Sequence, residues 1–161
     1  MTAQIANGGH KIYPQLIIDN KKDEKEDKFI SLIKNPKNIK IIQDAMFSST
    51  NEVRGTSYKS RIDDPKYQFA GKTGTAQVKR ITKQDRELDL KTLEIPYEER
   101  DHALYVAFGP YRNPRYAISI LIEHGGSGSS VAAPIAKKLF KKIIDRHQIR
   151  KDFNSKKYLD I

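Results

Sequence analysis

The sequence predicts an α+β fold: a small antiparallel sheet with a C-terminal helix packed on one of its faces. Three stretches carry that expectation. Residues 103–108 and 116–122 are β-rich runs, and the segment between them, Pro110-Tyr111-Arg112-Asn113-Pro114, has the composition of a hairpin connection. From Ala132 onward, Ile135, Ala136, Leu139, Phe140, Ile143 and Ile144 recur at three- and four-residue spacing, while Lys137, Lys138, Lys141 and Lys142 take the other side. That is one wide apolar stripe on an amphipathic helix, with lysines suited to its C-terminal dipole.

In chain order, residues 1–7 are apolar and Ala-containing, and Gly8-Gly9 supplies a left-handed helix stop. Residues 11–19 (K-I-Y-P-Q-L-I-I-D) have strand composition, with Pro14 confining them to an edge, and residues 20–28 form a charged tip. Asn35-Pro36 is a helix start, Asn as N-cap and Pro at the first helical position. Ile39, Ile42, Ala45 and Met46 then form that helix's apolar face.

Residues 69–78, F-A-G-K-T-G-T-A-Q-V, hold the strongest chemical signal. The small residues Ala70, Gly71, Gly74 and Ala76 let another molecule approach the backbone, and Lys72, Thr73 and Thr75 offer an ammonium and two hydroxyls to an anion. A phosphate-binding P-loop would need Gly at position 66, where Lys66 stands, and no apolar strand leads in.

Residues 79–101 carry six basic and seven acidic side chains without periodicity, the character of a long loop or extended hairpin. Beyond the second hairpin strand, whose near-continuous apolar run at residues 118–122 implies burial on both faces, a Gly/Ser loop at 124–130 offers a serine to cap the last helix. Pro134 belongs in that helix's first turn, and residues 151–161 read as a flexible tail after a domain spanning 1–150.

A chain of 161 residues has room for one domain, and no apolar run approaches the ~20 residues needed to span a bilayer. There is no Cys, and His10, His102, His124 and His147 show no ligand spacing, so neither a metal nor another cofactor is implied. The net charge of +10 comes from 21 Lys and 9 Arg spread among 20 acids along the whole chain. That distribution argues for a compositional bias over a nucleic-acid footprint.

Three motifs follow one another with short joins: G-K-T-G-T-A-Q at 71–77, H-A-L-Y-V-A-F-G-P at 102–110, and P-R-Y-A-I-S-I-L-I-E-H-G-G at 114–126. Together they resemble the C-terminal part of the transpeptidase domain of class B penicillin-binding proteins, nearest the elongation-type subgroup, and the resemblance runs from about residue 3 to 144. It implies a partial serine-transpeptidase (β-lactamase-like) fold acting on a peptidoglycan stem peptide or a β-lactam. It also implies a parent protein at the periplasmic face of the inner membrane. Carried over by motif, Lys72, Thr73, Gly74 and Thr75 bind the substrate carboxylate, and the Thr75 backbone N–H supplies half of an oxyanion hole, Gly74 permitting the close approach. The family's A-N-G-G closes a longer helix, so the chain is expected to start inside one and to lack the upstream part of the domain.

The other family motifs find formal matches in Ser31-Leu32-Ile33-Lys34 (S-x-x-K) and Ser49-Thr50-Asn51 (S-x-N). With 10 Ser and 21 Lys, about one S-x-x-K arises by chance. Only 14 residues separate Lys34 from Ser49 and 20 separate Asn51 from Lys72, where the family places much of its domain core. Both matches are rejected, and no catalytic side chain is assigned. Two readings remain: a segment of a working D,D-transpeptidase, or a non-catalytic remnant with at most weak ligand binding.

Overall fold

In the computed structural model, residues 1–14, 16, 30–80, 83, 87 and 90–157 are described, with side chains described as far as residue 149. A three-stranded antiparallel sheet lies at the centre, in the order β1 (Ala70–Ala76), β2 (His102–Gly109), β3 (Tyr116–Ile122). Its register pairs Thr73 with Tyr105 and Gly74 with Leu104, and on the other side of β2 pairs Tyr105 with Ile120. Helix α1 (Thr2–Ala6) precedes α2 (Pro36–Asn51), and α3 (Ala133–Lys157) closes the chain.

Side chains alternate across a strand, so β2 sends Ala103, Tyr105 and Ala107 to one face and Leu104, Val106 and Phe108 to the other. The first face packs on α3: Ala103, Tyr105, Ala107 and Ile120 form one core with Ala136, Phe140 and Ile144, joined by Phe69. Phe69 stacks on Phe140 at 4.9 Å and meets the Tyr105 ring edge-on at 6.5 Å. The second face is covered at one end, where Ala70 and Phe108 meet Met46 of α2 beside Ile5 and Ala6 of α1.

Several expectations hold residue by residue. Asn35 caps α2 by accepting from the Lys37 N–H, with Pro36 at the first helical position. Gly8 and Gly9 end α1 with φ of 87° and 92°, a conformation in which a Cβ is strained. Ser127 accepts from the Ser130 N–H at the start of a π turn, Gly128–Ala132, that feeds α3, and Pro134 lies in the first turn of α3.

Other expectations are corrected. The buried positions of α2 are Ile39, Met46 and Thr50, whereas Ile42 is 42% exposed and Ala45 is also exposed. The helix is rotated so that Gln43 can donate to the Ile5 carbonyl, and Thr50 faces the sheet through hydrogen bonds that periodicity of apolar residues does not reveal. Strand β3 is not buried on both faces: Ala117, Ser119 and Leu121 are exposed, Leu121 at 54%, because α3 covers one side only. Leu139 stands at the margin of the α3 stripe and is exposed for the same reason. The helix itself continues to Lys157, into the stretch read from sequence as a tail. Helix elongation needs no apolar periodicity once a nucleus exists, since each added residue gains a backbone hydrogen bond.

Of the expected strand at 11–19, residues 11–14 are irregular. Among the described residues the pairing is a single antiparallel bridge, His10 with Ser31, flanked by Lys11 N–H to Ile30 O and Leu32 N–H to Gly9 O. Of the strand's remainder, all but residue 16 lies outside the described residues, as does the whole charged tip at 20–28. Within 79–101, a 3-10 turn at Tyr97–Glu99 and an ion pair between Lys79 Nζ and Glu99 at 2.6 Å hold the two ends of the excursion together.

Candidate functional site

Among the described residues strand β1 is an edge strand, and its outer edge is where the predicted site residues stand. The Phe69 carbonyl accepts from Asn51 Nδ2 at 2.9 Å, and the Gly71 carbonyl from Thr50 Oγ1 at 3.5 Å, so these main-chain groups face α2 and not β2. Alternate residues of an antiparallel strand turn both N–H and C=O to the same side. Thr73 and Thr75 therefore share that outer edge, beyond the end of α2, and the Thr75 N–H points away from β2. Lys72 and Thr75 are exposed, Thr73 and Gly74 half-buried.

Lys72 folds back over this edge, its Nζ donating to the Thr73 carbonyl at 2.9 Å and to Thr73 Oγ1 at 3.3 Å. Thr56 Oγ1 lies 3.3 Å from Thr73 Oγ1 and 3.1 Å from Ser49 Oγ. The open end of β1 thus presents an ammonium, a row of hydroxyls and outward main-chain N–H groups, a set of donors suited to a carboxylate.

Beneath it sits a buried hydroxyl cluster that sequence reasoning missed. Tyr105 OH is 2.9 Å from Thr50 Oγ1 and 3.1 Å from Ser57 Oγ, and those two hydroxyls are 3.3 Å apart. All three residues are essentially solvent-free. Burial raises the Tyr105 phenol above its ordinary pKa, with its hydrogen bonds to the Ser57 and Thr50 side chains pulling the other way. A Cβ at Gly71 would stand 2.2 Å from Tyr105 OH, so Gly71 is what lets the tyrosine reach α2 beneath the strand. The K-T-G segment is held at its base by this contact.

Asn51 and Ser31 of the two formal motif matches are occupied in structural roles. Asn51 gives both amide hydrogens to main-chain carbonyls, Phe47 at 3.0 Å and Phe69 at 2.9 Å, which seals the start of β1 to α2. Ser31 lies exposed in the bridge segment ahead of α2, its Oγ donating to the Ile33 carbonyl at 2.9 Å, and opens no helix.

Beyond the Ala76 end of β1, the 90–101 segment and the loop after β3 line a cavity of about 410 Å³ that includes Tyr97, Arg100, Ile122 and His124. The His124 N–H donates to His102 Nδ1 at 3.0 Å, and Arg100 donates to the carbonyls of Ile95 and Leu93, so the charged groups here brace the loops. Among the described residues, no group of three or more His, Cys, Asp or Glu is placed to hold a metal ion, and no helix is long and apolar enough to cross a membrane.

The family profile described as penicillin binding protein transpeptidase domain matches residues 1–141. The chain belongs to that family. The curated peptidoglycan D,D-transpeptidase MrdA of Salmonella typhimurium (strain SL1344) is 39% identical over 105 residues, 65% of this chain and 16% of that protein. Penicillin-binding protein 2 of Helicobacter pylori, solved in complex with MreC, superposes with a TM-score of 0.69 at 31% identity, over 89% of this chain and 23% of that one. Penicillin-binding protein 2 of Pseudomonas aeruginosa, solved with WCK 5153, gives a TM-score of 0.65 at 33% identity, over 88% of this chain and 28% of the other. The chain therefore spans about a sixth of the length of the curated relative. The α+β architecture, antiparallel sheet and C-terminal helix included, is that of the penicillin-binding transpeptidases.

Proposed function

We propose that this chain forms the carboxylate-binding wall of a peptidoglycan D,D-transpeptidase site, taking the C-terminal carboxylate of a stem peptide or the carboxylate of a β-lactam. One observation carries the reading: Lys72, Thr73 and the Thr75 N–H converge on a strand edge that no other strand of the described residues covers. Lys72 and Thr73 hold the carboxylate. The Thr75 N–H donates to the oxyanion that develops when the scissile carbonyl is attacked, and such a donor is most useful where it is fixed in advance. Gly74 keeps side-chain bulk out of the approach.

The attacking oxygen comes from an S-x-x-K serine that this chain does not itself supply. Residues 1–150 act as the C-terminal portion of the domain and need a complementary N-terminal portion to complete the site. In that assembly the site works at the periplasmic face of the inner membrane. Held alone, the chain binds a β-lactam weakly and without covalent chemistry.

Intact mass after incubation with benzylpenicillin, paired with an NMR titration, tests this. The expected result is perturbation of the Lys72–Thr75 amides with no mass change. A covalent adduct on Ser31 would overturn the assignment of the nucleophile, and unperturbed β1 amides at saturating ligand would overturn the carboxylate site.

A further inference from the structure

We infer that Thr56 is a positioning residue for carboxylate recognition, the middle member of a hydroxyl relay that sets the hydrogen of Thr73. The inference rests on the carboxylate-wall reading above. An ammonium has no lone pair, so Lys72 donates to Thr73 Oγ1 at 3.3 Å and Thr73 must place its own hydrogen elsewhere. Thr56 Oγ1, 3.3 Å away, is the acceptor within reach. Thr56 in turn has Ser49 Oγ at 3.1 Å to receive its hydrogen. With no ligand bound, donation runs from Lys72 through Thr73 and Thr56 to Ser49.

A docking carboxylate reverses this order. It draws the Lys72 ammonium and the Thr73 hydrogen toward itself, which leaves the Thr73 oxygen without a donor. Thr56 then rotates its hydroxyl to donate to Thr73, and Ser49 donates to Thr56. Each hydroxyl polarises the next, so the Thr73 hydrogen bond to the anion is strengthened by the pair behind it.

The fold fixes Thr56 for this purpose. Gly55 lies so close to the end of α2 that a Cβ there would be 2.4 Å from the Ser49 carbonyl and 2.5 Å from that of Ser48. Immediately after Thr56, Ser57 donates to the Ser49 carbonyl from both its N–H and its Oγ, each at 3.0 Å. Thr56 is thereby held between two anchored neighbours while its own side chain stays exposed at the edge of the site.

The test uses the chain itself, with benzylpenicillin and its methyl ester as probes in NMR titrations, because the ester lacks the anion. The wild type is expected to prefer the acid. Thr56→Val, which keeps the shape and deletes the hydroxyl, is expected to weaken acid binding by roughly three- to ten-fold and leave ester binding unchanged, with Thr56→Ser restoring the wild-type preference. Ser49→Ala, removing the far end of the relay, is expected to weaken the acid by roughly two- to three-fold. If Lys72→Ala abolishes the acid preference while Thr56→Val retains it, the relay is overturned and the carboxylate wall stands. If the wild type shows no acid preference, or Lys72→Ala keeps it, the wall and the relay fall together. Should Thr56→Val lose the native amide spectrum, Ser49→Ala decides alone, an undiminished preference overturning the relay.

Discussion

Tyr105 places its hydroxyl where a side chain at Gly71 would stand, only 2.2 Å from the position of a Cβ. The first residue of the G-K-T-G segment is thus a matter of packing beneath the strand, whereas Gly74 faces the opposite side, with the Leu104 Cβ 3.2 Å away. The two glycines separate on substitution. Gly71→Ala forces Tyr105 off Thr50 and Ser57 and is expected to destabilise the chain by about 2–3 kcal/mol or more, within the range for overpacked cores. Gly74→Ala needs a shift of a few tenths of an ångström and is expected to cost about 1 kcal/mol or less. Urea unfolding followed by circular dichroism distinguishes them, and equal losses would show that the Tyr105 contact is not what constrains position 71.

The Tyr105 hydroxyl has a second consequence. Tyr105→Phe leaves Thr50 and Ser57 paired with each other at 3.3 Å but deletes the partner they share, with an expected loss of about 1–2 kcal/mol. It also changes the alkaline limb of stability. Burial raises the phenol's pKa above its ordinary 10.0, so the folded chain holds the proton more tightly than the unfolded chain. The stability linked to this group is complete below pH 10.0 and is lost as pH rises through the folded value. Thermal unfolding across that range is expected to fall less steeply for Tyr105→Phe than for wild type, and parallel curves would count against a protonated, buried Tyr105.

Some of this architecture was legible in the sequence, and the divide is physical. Local rules located the hairpin, the Asn35 cap, the glycine stop after α1 and the helix behind Pro134, because each depends on residues within a turn or a strand of one another. The buried face of α2 was misread because two of its inward groups, Gln43 and Thr50, are polar and are held by partners 38 and 55 positions away. Likewise, Ile118, Leu121 and Ile122 look equivalent as a run, yet only the positions facing α3 are covered. At the proposed site, the motif singles out Lys72 to Thr75 as candidate carboxylate contacts. The contributions of Thr56, Ser57 and Tyr105 come from chain segments that a linear pattern does not connect.

Lys72 separates binding from folding. It is exposed, and its hydrogen bonds are to the adjoining Thr73, so Lys72→Ala is expected to leave the unfolding midpoint nearly unchanged. On the carboxylate-wall proposal, the same substitution in a complete transpeptidase assembled with this chain removes a charge-assisted contact to the substrate carboxylate. That contact is worth roughly 1.5–3 kcal/mol, so β-lactam acylation is expected to slow about ten- to a hundred-fold. Stopped-flow acylation with a chromogenic cephalosporin measures it, and an unaltered rate constant would remove Lys72 from the site.

Strand β3 presents the last test. It occupies one end of the sheet order, and among the described residues no strand pairs with its outer edge. Natural sheets protect such edges with Lys, Pro or a bulge, but Tyr116–Ile122 reads Y-A-I-S-I-L-I and carries none of these. On its uncovered face Leu121 is 54% exposed, and Ala117 and Ser119 flank it without charge. An edge of this kind pairs readily with another strand, whether from a complementary part of a transpeptidase domain or from a second copy of this chain. The isolated chain is therefore expected to elute in size-exclusion chromatography with a concentration-dependent apparent mass. Leu121→Lys, placing a charge on the exposed face without touching the α3 core, is expected to shift it toward monomer. A monodisperse monomer at all concentrations, unfolding in one sharp transition, would show that the edge is already satisfied within the chain.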